Sequence, residues 1–269
     1  MTQYLKLLFV FCTFSLFSDC RFKSNSSEPQ GDFFQNGDLR FYYEISGKGA
    51  PLIIIHGNSG GLVSMKNQTD YFSKHYRVIA MDCRGRGQSD LGPDSLTYEQ
   101  MSRDVSNLMD HLKLDSALVL GYSDGGIVGL MLAMNHPEKV KKMAIFGTNI
   151  QPDSNALHPE SIQHVHEKRL EAEAMLAKGD KSDNWSLKKQ RYRLMEFQPN
   201  INATRLNSIT VPVLVMSCEG DEIKQEHTKL IHNNIRGSEL MIFPGEDHKM
   251  IINNPKLFNS TVAGFFERR

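Results

Sequence analysis

The chain of 269 residues lacks an excess of charge of either sign, because its 31 lysines and arginines balance 31 aspartates and glutamates. Nucleic-acid-binding domains normally carry a basic excess, so a role in binding nucleic acid is disfavoured. Intrinsic disorder needs low hydrophobicity and high net charge, and a hydrophobic content of 40% with zero net charge excludes it. The length allows a core of normal size, which needs no metal ion or disulfide to hold it together.

Cysteine is scarce, and its four residues show none of the short paired spacings of zinc sites (Cys12, Cys20, Cys83 and Cys218). Two of them lie within the first 20 residues, which leaves Cys83 and Cys218 for the folded part of the chain. We therefore expect neither a bound metal nor a cofactor.

The N-terminus carries an apolar run at residues 7–17, which is too short to span a membrane and suits the hydrophobic region of a signal peptide. The run is followed by Ser18-Asp19-Cys20, without an A-x-A cleavage site. It resembles the signal peptide of a bacterial lipoprotein, although Phe17 and Asp19 depart from the usual small-residue pattern. We expect residues 1–20 to be a signal segment, residues 21–31 a flexible tether, and the protein to be exported to the cell envelope.

Lipidation of Cys20 would attach the mature protein to a membrane. Ordinary secretion, to the periplasm or the medium, and an N-terminus that is retained are the alternatives.

Strands and helices alternate along most of the chain. Strands are expected over residues 32–35, 39–45, 52–55, 77–81, 117–121, 140–146, 211–216 and 240–243. Helices are expected over residues 65–75, 97–112, 124–135 and 222–233 and from the last strand to the C-terminus. Thr97 and Gln100 form a predicted capping box, and the Asn36-Gly37 dipeptide predicts a hairpin turn between the first two strands.

The alternation predicts a mostly parallel central sheet with helices on both faces. Residues 150–206 interrupt it, because they contain no strand-like run and two charged amphipathic stretches, residues 160–177 and 186–197. We expect a core formed by residues 32–149 and 207–269 and a small helical cap formed by residues 150–206.

The sequence Gly121-Tyr-Ser123-Asp124-Gly125 matches the G-x-S-x-G pattern of a nucleophile elbow. It directly follows a predicted buried strand and opens a predicted helix, as that motif requires. Small residues on both sides would let Ser123 stand exposed above the sheet. The alternative is a glycine-rich turn with a buried serine.

A serine becomes nucleophilic when a histidine, oriented by a carboxylate, accepts its proton. His248 follows the last predicted strand, and Asp221 follows the strand before it. Glu219 and Asp247 are rivals for the acid, but the spacing after the strand favours Asp221. Most of the other histidines lie on predicted helices or in the cap, where a structural or surface role is expected (His75, His111, His136, His164, His166, His227 and His232). The order Ser, acid, His differs from that of the chymotrypsin and subtilisin types.

With these residues in place, the chain from about residue 32 onward resembles the α/β-hydrolases. His56-Gly-Asn58 resembles the oxyanion loop of that family, and Asp82-x-Arg-Gly-x-Gly-x-Ser89 resembles its D-x-R-G-x-G-x-S turn. The resemblance implies that the backbone N–H groups of Asn58 and Asp124 form the oxyanion hole and that the helical insertion is a cap. It also implies that Cys83 and Cys218 end strands that are not neighbours, so that both are free thiols.

Within the resemblance, the nucleophile restricts the chemistry. Haloalkane dehalogenases and epoxide hydrolases of this fold use aspartate at the position of Ser123, so both are disfavoured. The G-x-S-D-G-G elbow is more similar to the biphenyl-hydrolase-like and valacyclovir-hydrolase-like branch than to lipases. We expect a serine hydrolase that cleaves small to medium carboxylic esters through an acyl-enzyme.

Two other functions stay open at this stage. The first is hydrolysis of another bond, as by an aminopeptidase, a lactonase or a C–C hydrolase. The second is a binding protein that keeps the scaffold but turns over slowly. The expected partner is a small-molecule ester or amide, and the sequence gives no prediction of the oligomeric state.

The side chain of Asp124 has two interpretations. An acidic residue in the first turn of a helix is favoured by the helix dipole, which requires no contact with substrate. Alternatively its carboxylate faces the pocket and binds a cationic group of the substrate, such as the free amine of an aminoacyl ester.

Overall fold

The computed structural model describes residues 29–93 and 95–268. The expected signal segment, Cys20 and most of the tether lie outside the described residues.

The described residues form alternating strands and helices. The strands are β1 (Gln30–Asn36), β2 (Leu39–Ser46), β3 (Pro51–Ile55), β4 (Arg77–Met81), β5 (Ala117–Tyr122), β6 (Val140–Phe146), β7 (Val213–Gly220) and β8 (Glu239–Asp247). The helices are α1 (Lys66–Phe72), α2 (Tyr98–His111), α3 (Asp124–Asn135), α4 (Pro159–Ala177), α5 (Trp185–Phe197), α6 (Gln225–Asn233), α7 (Met250–Asn253) and α8 (Pro255–Glu267).

The strands form one sheet in the order β1-β2-β4-β3-β5-β6-β7-β8. The pairs β1–β2 and β2–β4 are antiparallel, and every other pair is parallel. The expected mostly parallel sheet covered on both faces is therefore confirmed. Parallel strands that are buried on both faces need apolar side chains at consecutive positions, which accounts for the run Leu52–Ile55.

Two hydrophobic clusters lie on opposite faces of the sheet. Helices α2 and α3 contribute to one cluster, together with Ile231 of α6. Helices α7 and α8 contribute to the other, together with Phe72 of α1. The capping box at Thr97 is present at the start of α2, with Gln100 donating its main-chain N–H to the threonine side chain.

Several element boundaries differ from expectation. Strand β1 begins at Gln30, so the last two residues of the expected tether belong to the sheet, where they pair with Ile45 and Glu44 of β2. The hairpin turn is Gly37-Asp38 rather than Asn36-Gly37. Gly37 has φ +63°, which suits the first central residue of a tight hairpin turn.

The segment between β6 and β7 contains α4 and α5, close to the two stretches that were expected to be helical. The helices are joined by ion pairs of Arg169 with Glu196 and of Glu173 with Lys189, and few of their side chains are buried. No helix in the described part of the chain is long and apolar enough to cross a membrane.

Candidate active site

Ser123 lies in the sharp turn between β5 and α3, with φ +53° and ψ −119°. A positive φ is unfavourable for a residue with a side chain, so the surrounding structure must enforce it. Glycines on either side let the turn pack closely. A Cβ atom at Gly121 would lie 2.4 Å from the carbonyl oxygen of Gly125, and one at Gly125 would lie 2.1 Å from that of Ile55. Both positions therefore require glycine, and Ser123 is held at the carboxyl end of the sheet.

The sheet brings the three predicted catalytic residues together. Strands β7 and β8 are parallel neighbours, so their carboxyl ends meet at the same edge as the end of β5. The Nδ1 atom of His248 lies 2.8 Å from Oδ1 of Asp221, and its Nε2 atom lies 3.2 Å from Oγ of Ser123. This is the geometry of a nucleophile, a base and an orienting acid in a hydrogen-bonded row.

Asp221 is buried and its carboxylate is surrounded by donors. The hydroxyl of Ser217 and the main-chain N–H of Cys218 donate to Oδ2, and the N–H of Ile223 donates to Oδ1. Burial alone would raise the pKa of Asp221, but the hydrogen bond and charge of His248 outweigh it and hold the pKa below its usual value. The carboxylate therefore stays ionised and orients the imidazole.

The opposite balance holds at His248. Burial acts to lower the pKa of the imidazole, but the hydrogen bond and negative charge of Asp221 outweigh it, so the pKa lies above its usual value. The ring packs against Tyr122 and Phe146, with ring centroids 5.1 and 6.1 Å away. At Gly147 a Cβ atom would lie 2.5 Å from the imidazole, so only glycine leaves room for the ring there.

The rival acids have other partners. Glu219 accepts a hydrogen bond from the main-chain N–H of Gly245, and Asp247 accepts one from that of Lys249. The structure brings neither of them to His248. Of the other histidines, only His164 lines the cavity beside Ser123 among the described residues.

The two residues expected to provide the oxyanion hole are both buried, and they bond to each other. Nδ2 of Asn58 donates to Oδ2 of Asp124 over 2.8 Å. Within the described residues, the main-chain N–H groups of Asn58 and Asp124 have no protein acceptor. Two N–H groups are thus free for a substrate oxygen, and a side-chain hydrogen bond ties their residues together.

A cavity of about 220 Å³ opens above Ser123, between the sheet and the cap. The core contributes the side chains of six residues to its walls (Tyr98, Ser123, Asp124, Glu222, Ile223 and His248). The other lining residues come from the cap and from Asn149 just before it (Asn149, Leu157, Glu160, Ser161, His164, Val165, Met195 and Gln198). The cap therefore forms much of the wall that a substrate would meet.

Comparisons with known proteins agree with this architecture. The family described as alpha/beta hydrolase fold matches residues 50–166. A deep-sea metagenome α/β hydrolase enzyme, MGS-M2 from the Medee basin, superposes with a TM-score of 0.78 at 20% identity, covering 88% of this chain and 98% of that one. The chain has the α/β-hydrolase fold.

Curated relatives of this α/β-hydrolase-fold protein include hydrolases. The putative carbamate hydrolase RutD of Azorhizobium caulinodans is 36% identical over 115 residues, which cover 42% of this chain but only 43% of that protein. The human serine hydrolase BPHL is 26% identical over 246 residues, which cover 85% of this chain and 84% of that protein.

The two other motifs of the α/β-hydrolase fold stabilise the loops around Ser123. Nε2 of His56 accepts from the N–H of Cys83, so Nδ1 carries the proton that is donated to the carbonyl of Gly57. Burial lowers the pKa of His56 to about 4, which keeps the ring neutral. Asp82 accepts hydrogen bonds from the main-chain N–H groups of Leu62 and Gln88. These residues join the ends of β3 and β4 rather than contacting substrate.

Sequence reasoning missed two arginines of the site. Nε of Arg86, in the turn after β4, donates to the main-chain oxygen of Asn58 over 3.0 Å. Nε of Arg191, on cap helix α5, donates to Oδ1 of Asn58 over 3.1 Å. Arg86 occupies a variable position of the D-x-R-G-x-G-x-S turn, whose fixed arginine is Arg84, so the motif predicted the turn but did not single out Arg86. Arg191 had no signal in the sequence, because an arginine on a charged amphipathic helix is expected to face solvent.

The charges of both arginines act on the carboxylate of Asp124. Burial raises its pKa, and the charges of Arg86 and Arg191 and the hydrogen bond from Asn58 oppose that rise. The hydroxyl of the buried Tyr98 also interacts with it. Asp124 borders the substrate cavity, but its carboxylate is already engaged with groups of the protein.

Proposed function

We propose that this protein is a serine hydrolase that transfers an acyl group from a small or medium-sized carboxylic ester to water. The observation that carries the proposal is the hydrogen-bonded row from Ser123 through His248 to Asp221 beside a cavity of matching size. The resemblance of the elbow to the biphenyl-hydrolase-like branch, together with the similarity to the human serine hydrolase BPHL over 85% of the chain, supports this assignment.

In the first half of the reaction, Oγ of Ser123 attacks the carbonyl carbon of the ester. Its proton passes to Nε2 of His248, which Asp221 holds in the correct orientation and tautomer. The carbonyl oxygen becomes an oxyanion between the main-chain N–H groups of Asn58 and Asp124. Preorganised donors of this kind typically lower the barrier by about 3–4 kcal/mol each.

The intermediate then collapses to an acyl-enzyme. The C–O bond of the ester breaks, and the alcohol leaves with the proton that His248 had accepted. A water molecule next donates a proton to His248 and attacks the acyl carbon. Release of the acid returns the proton to Ser123 and restores the free enzyme.

Hydrolysis of an ester or amide that carries a free amine is the second candidate. Two exposed carboxylates, those of Glu160 and Glu222, line the cavity that contains Ser123. A cationic substrate group near them would be attracted, although solvent screening weakens such contacts. The similarity to a putative carbamate hydrolase also supports testing substrates with bonds other than those of simple esters.

The test is a hydrolysis screen of the purified full-length chain with p-nitrophenyl esters, aminoacyl esters, lactones and aminoacyl-arylamides. We expect hydrolysis of short acyl p-nitrophenyl esters and covalent labelling of Ser123 by a fluorophosphonate. Labelling should vanish in Ser123→Ala and persist in Ser260→Ala, a matched change at an exposed serine of α8. Labelling at another serine, or tight binding of substrates without turnover, would contradict the proposal.

A further inference from the structure

Asn58 has unusually complete hydrogen bonding for a loop residue. Its side-chain oxygen accepts from Arg191, its side-chain nitrogen donates to Asp124, and its main-chain oxygen accepts from Arg86. The one polar group of Asn58 without a protein partner among the described residues is the main-chain N–H. That N–H is the group that the proposed mechanism aims at the oxyanion.

Opposite charges fix the orientation of the Asn58 amide. Oδ1 is an acceptor and faces the guanidinium of Arg191, whereas Nδ2 is a donor and faces the carboxylate of Asp124. A flipped amide would point its NH₂ group at a cation and its oxygen at an anion. The side chain is therefore locked in one of its two orientations, and the backbone to which it is attached is restrained with it.

Arg191 is the member of this network that the cap supplies. It lies on α5 and reaches Asn58, 133 positions away in the sequence. Among the described residues it is not one of those that line the cavity above Ser123. Its guanidinium therefore acts on Asn58 from outside that cavity, through the hydrogen bond to Oδ1.

We propose that Arg191 is a positioning residue that couples the placement of the cap to the oxyanion hole. When α5 is docked, Arg191 holds the Asn58 amide, and the Asn58 N–H points at the developing oxyanion. When α5 moves away, the amide loses its partner, and the N–H is no longer held. The inference rests on the proposed hydrolase function, because it needs an oxyanion to be stabilised.

The coupling predicts a specific kinetic signature. An interaction that is used only in the transition state changes kcat, whereas one that binds substrate changes KM. Loss of Arg191 should therefore lower kcat for every accepted ester and leave KM nearly unchanged. A trifluoromethyl ketone forms an oxyanion on the serine, so its affinity should fall by the same factor as kcat.

The experiment compares Arg191→Met with Arg193→Met. Both residues lie on α5, but Arg193 is exposed and its guanidinium packs over the ring of Phe197. We expect kcat to fall roughly tenfold in Arg191→Met with KM within about twofold, and both constants to be unchanged in Arg193→Met. Arg191→Lys should recover part of kcat, because an ammonium group can still donate one hydrogen bond to Oδ1.

Three results would overturn the inference: an unchanged kcat in Arg191→Met, an effect on KM alone, or equal effects of the two methionine variants. If Arg191→Met does not fold, Arg191→Ala, which also removes the donor to Oδ1, takes its place, and a kcat equal to that of the parent then rejects the coupling. Failure of the underlying function is distinguishable, since the parent protein would then neither hydrolyse esters nor react with the fluorophosphonate.

Discussion

The nucleophile elbow and the cap are built on different physical principles. Around Ser123 the geometry is fixed by backbone atoms, because Gly121 and Gly125 bring main-chain oxygens to distances that no side chain could tolerate. In the cap helices few residues are buried, namely Val165 and Ala172 in α4 and Leu194 in α5. The elbow is thus rigid by close packing, whereas the cap is held by a small apolar contact and surface charges.

This difference suits the two regions to different roles in the proposed reaction. A reaction needs its nucleophile, base and oxyanion donors in nearly invariant positions, and close packing provides that. Substrate selection tolerates variation, and the cap supplies much of the cavity wall. Arg191 links the two regions. It lies on cap helix α5 and donates a hydrogen bond to Asn58, and Asn58 in turn donates one to Asp124, next to Ser123.

The largest expected effect concerns the acid that orients the base. Asp221→Asn should keep the fold but lower kcat by roughly four orders of magnitude, because the neutral amide no longer holds the imidazole in its reactive tautomer. Circular dichroism and steady-state kinetics on the best ester measure both properties. The rival acid is the control: Glu219→Gln should retain activity, and an equal loss there would reject the assignment of Asp221.

The pH dependence should follow His248. The imidazole acts as a base only when neutral, and its pKa lies above the usual value of about 6.5 because the influence of Asp221 outweighs burial. We expect kcat/KM to fall about tenfold for each pH unit below that pKa. In Asp221→Asn the largest raising influence is lost while burial and the weaker effects of Glu222 and Asp124 remain, so the inflection of the residual activity should move to lower pH. An inflection that moves upward would contradict this account.

The close packing of the elbow can be tested by adding one methyl group. Gly125→Ala would place a carbon 2.1 Å from the main-chain oxygen of Ile55, so the backbone of β3 or α3 must shift. We expect destabilisation of about 1–3 kcal/mol or more, together with loss of activity. Gly264→Ala in α8, where a Cβ meets no atom within 4 Å, should instead stabilise the protein by about 0.5–1 kcal/mol. Urea unfolding of both variants decides the point.

The elbow was predictable because its determinants are local in sequence. A buried strand, G-x-S-x-G and a helix follow one another within 20 residues, and the close contact between Gly121 and Gly125 lies within that stretch, although Gly125 also packs against Ile55 of β3. The positions of Asp221 and His248 were also predictable as residues that follow strands. The lengths of β7 and β8 could not be predicted in the same way. The ends of these strands are not apolar, and they join the sheet by pairing with each other, as Gly220 does with Asp247.

The network around Asn58 could not be predicted, for a related reason. It joins residues 58, 86, 124 and 191, whose proximity exists only in the tertiary structure. The sequence interpretation of Asp124 considered a helix dipole or a substrate amine. In the structure the carboxylate instead accepts a hydrogen bond from the Asn58 side chain, a contact that neither interpretation included.

A smaller effect is expected at Asp124, where the two interpretations of its carboxylate can be separated. Asp124→Asn keeps the main-chain N–H but removes the negative charge on which the charges of Arg86 and Arg191 act. Because the carboxylate is bonded to Asn58, we expect aminoacyl esters and neutral esters of similar size to lose kcat/KM by a similar factor, roughly three- to tenfold. A loss confined to aminoacyl esters would show instead that Asp124 binds the substrate amine.

The smallest effect is expected in the cap. Glu196 pairs with Arg169 and also accepts from His166, yet Arg169 keeps a second partner in Glu173 when Glu196 is neutralised. Partly exposed ion pairs contribute about 0–1 kcal/mol, so Glu196→Gln should lower Tm by no more than about 3 °C. The kinetic constants should stay within about twofold of the parent, since Glu196 is not among the residues that line the cavity in the described chain. Thermal unfolding at low and high salt measures the effect, which should shrink as salt screens the pair. A drop in kcat as large as that expected for Arg191→Met would show that this ion pair, and not Arg191 alone, sets the position of the cap over Ser123.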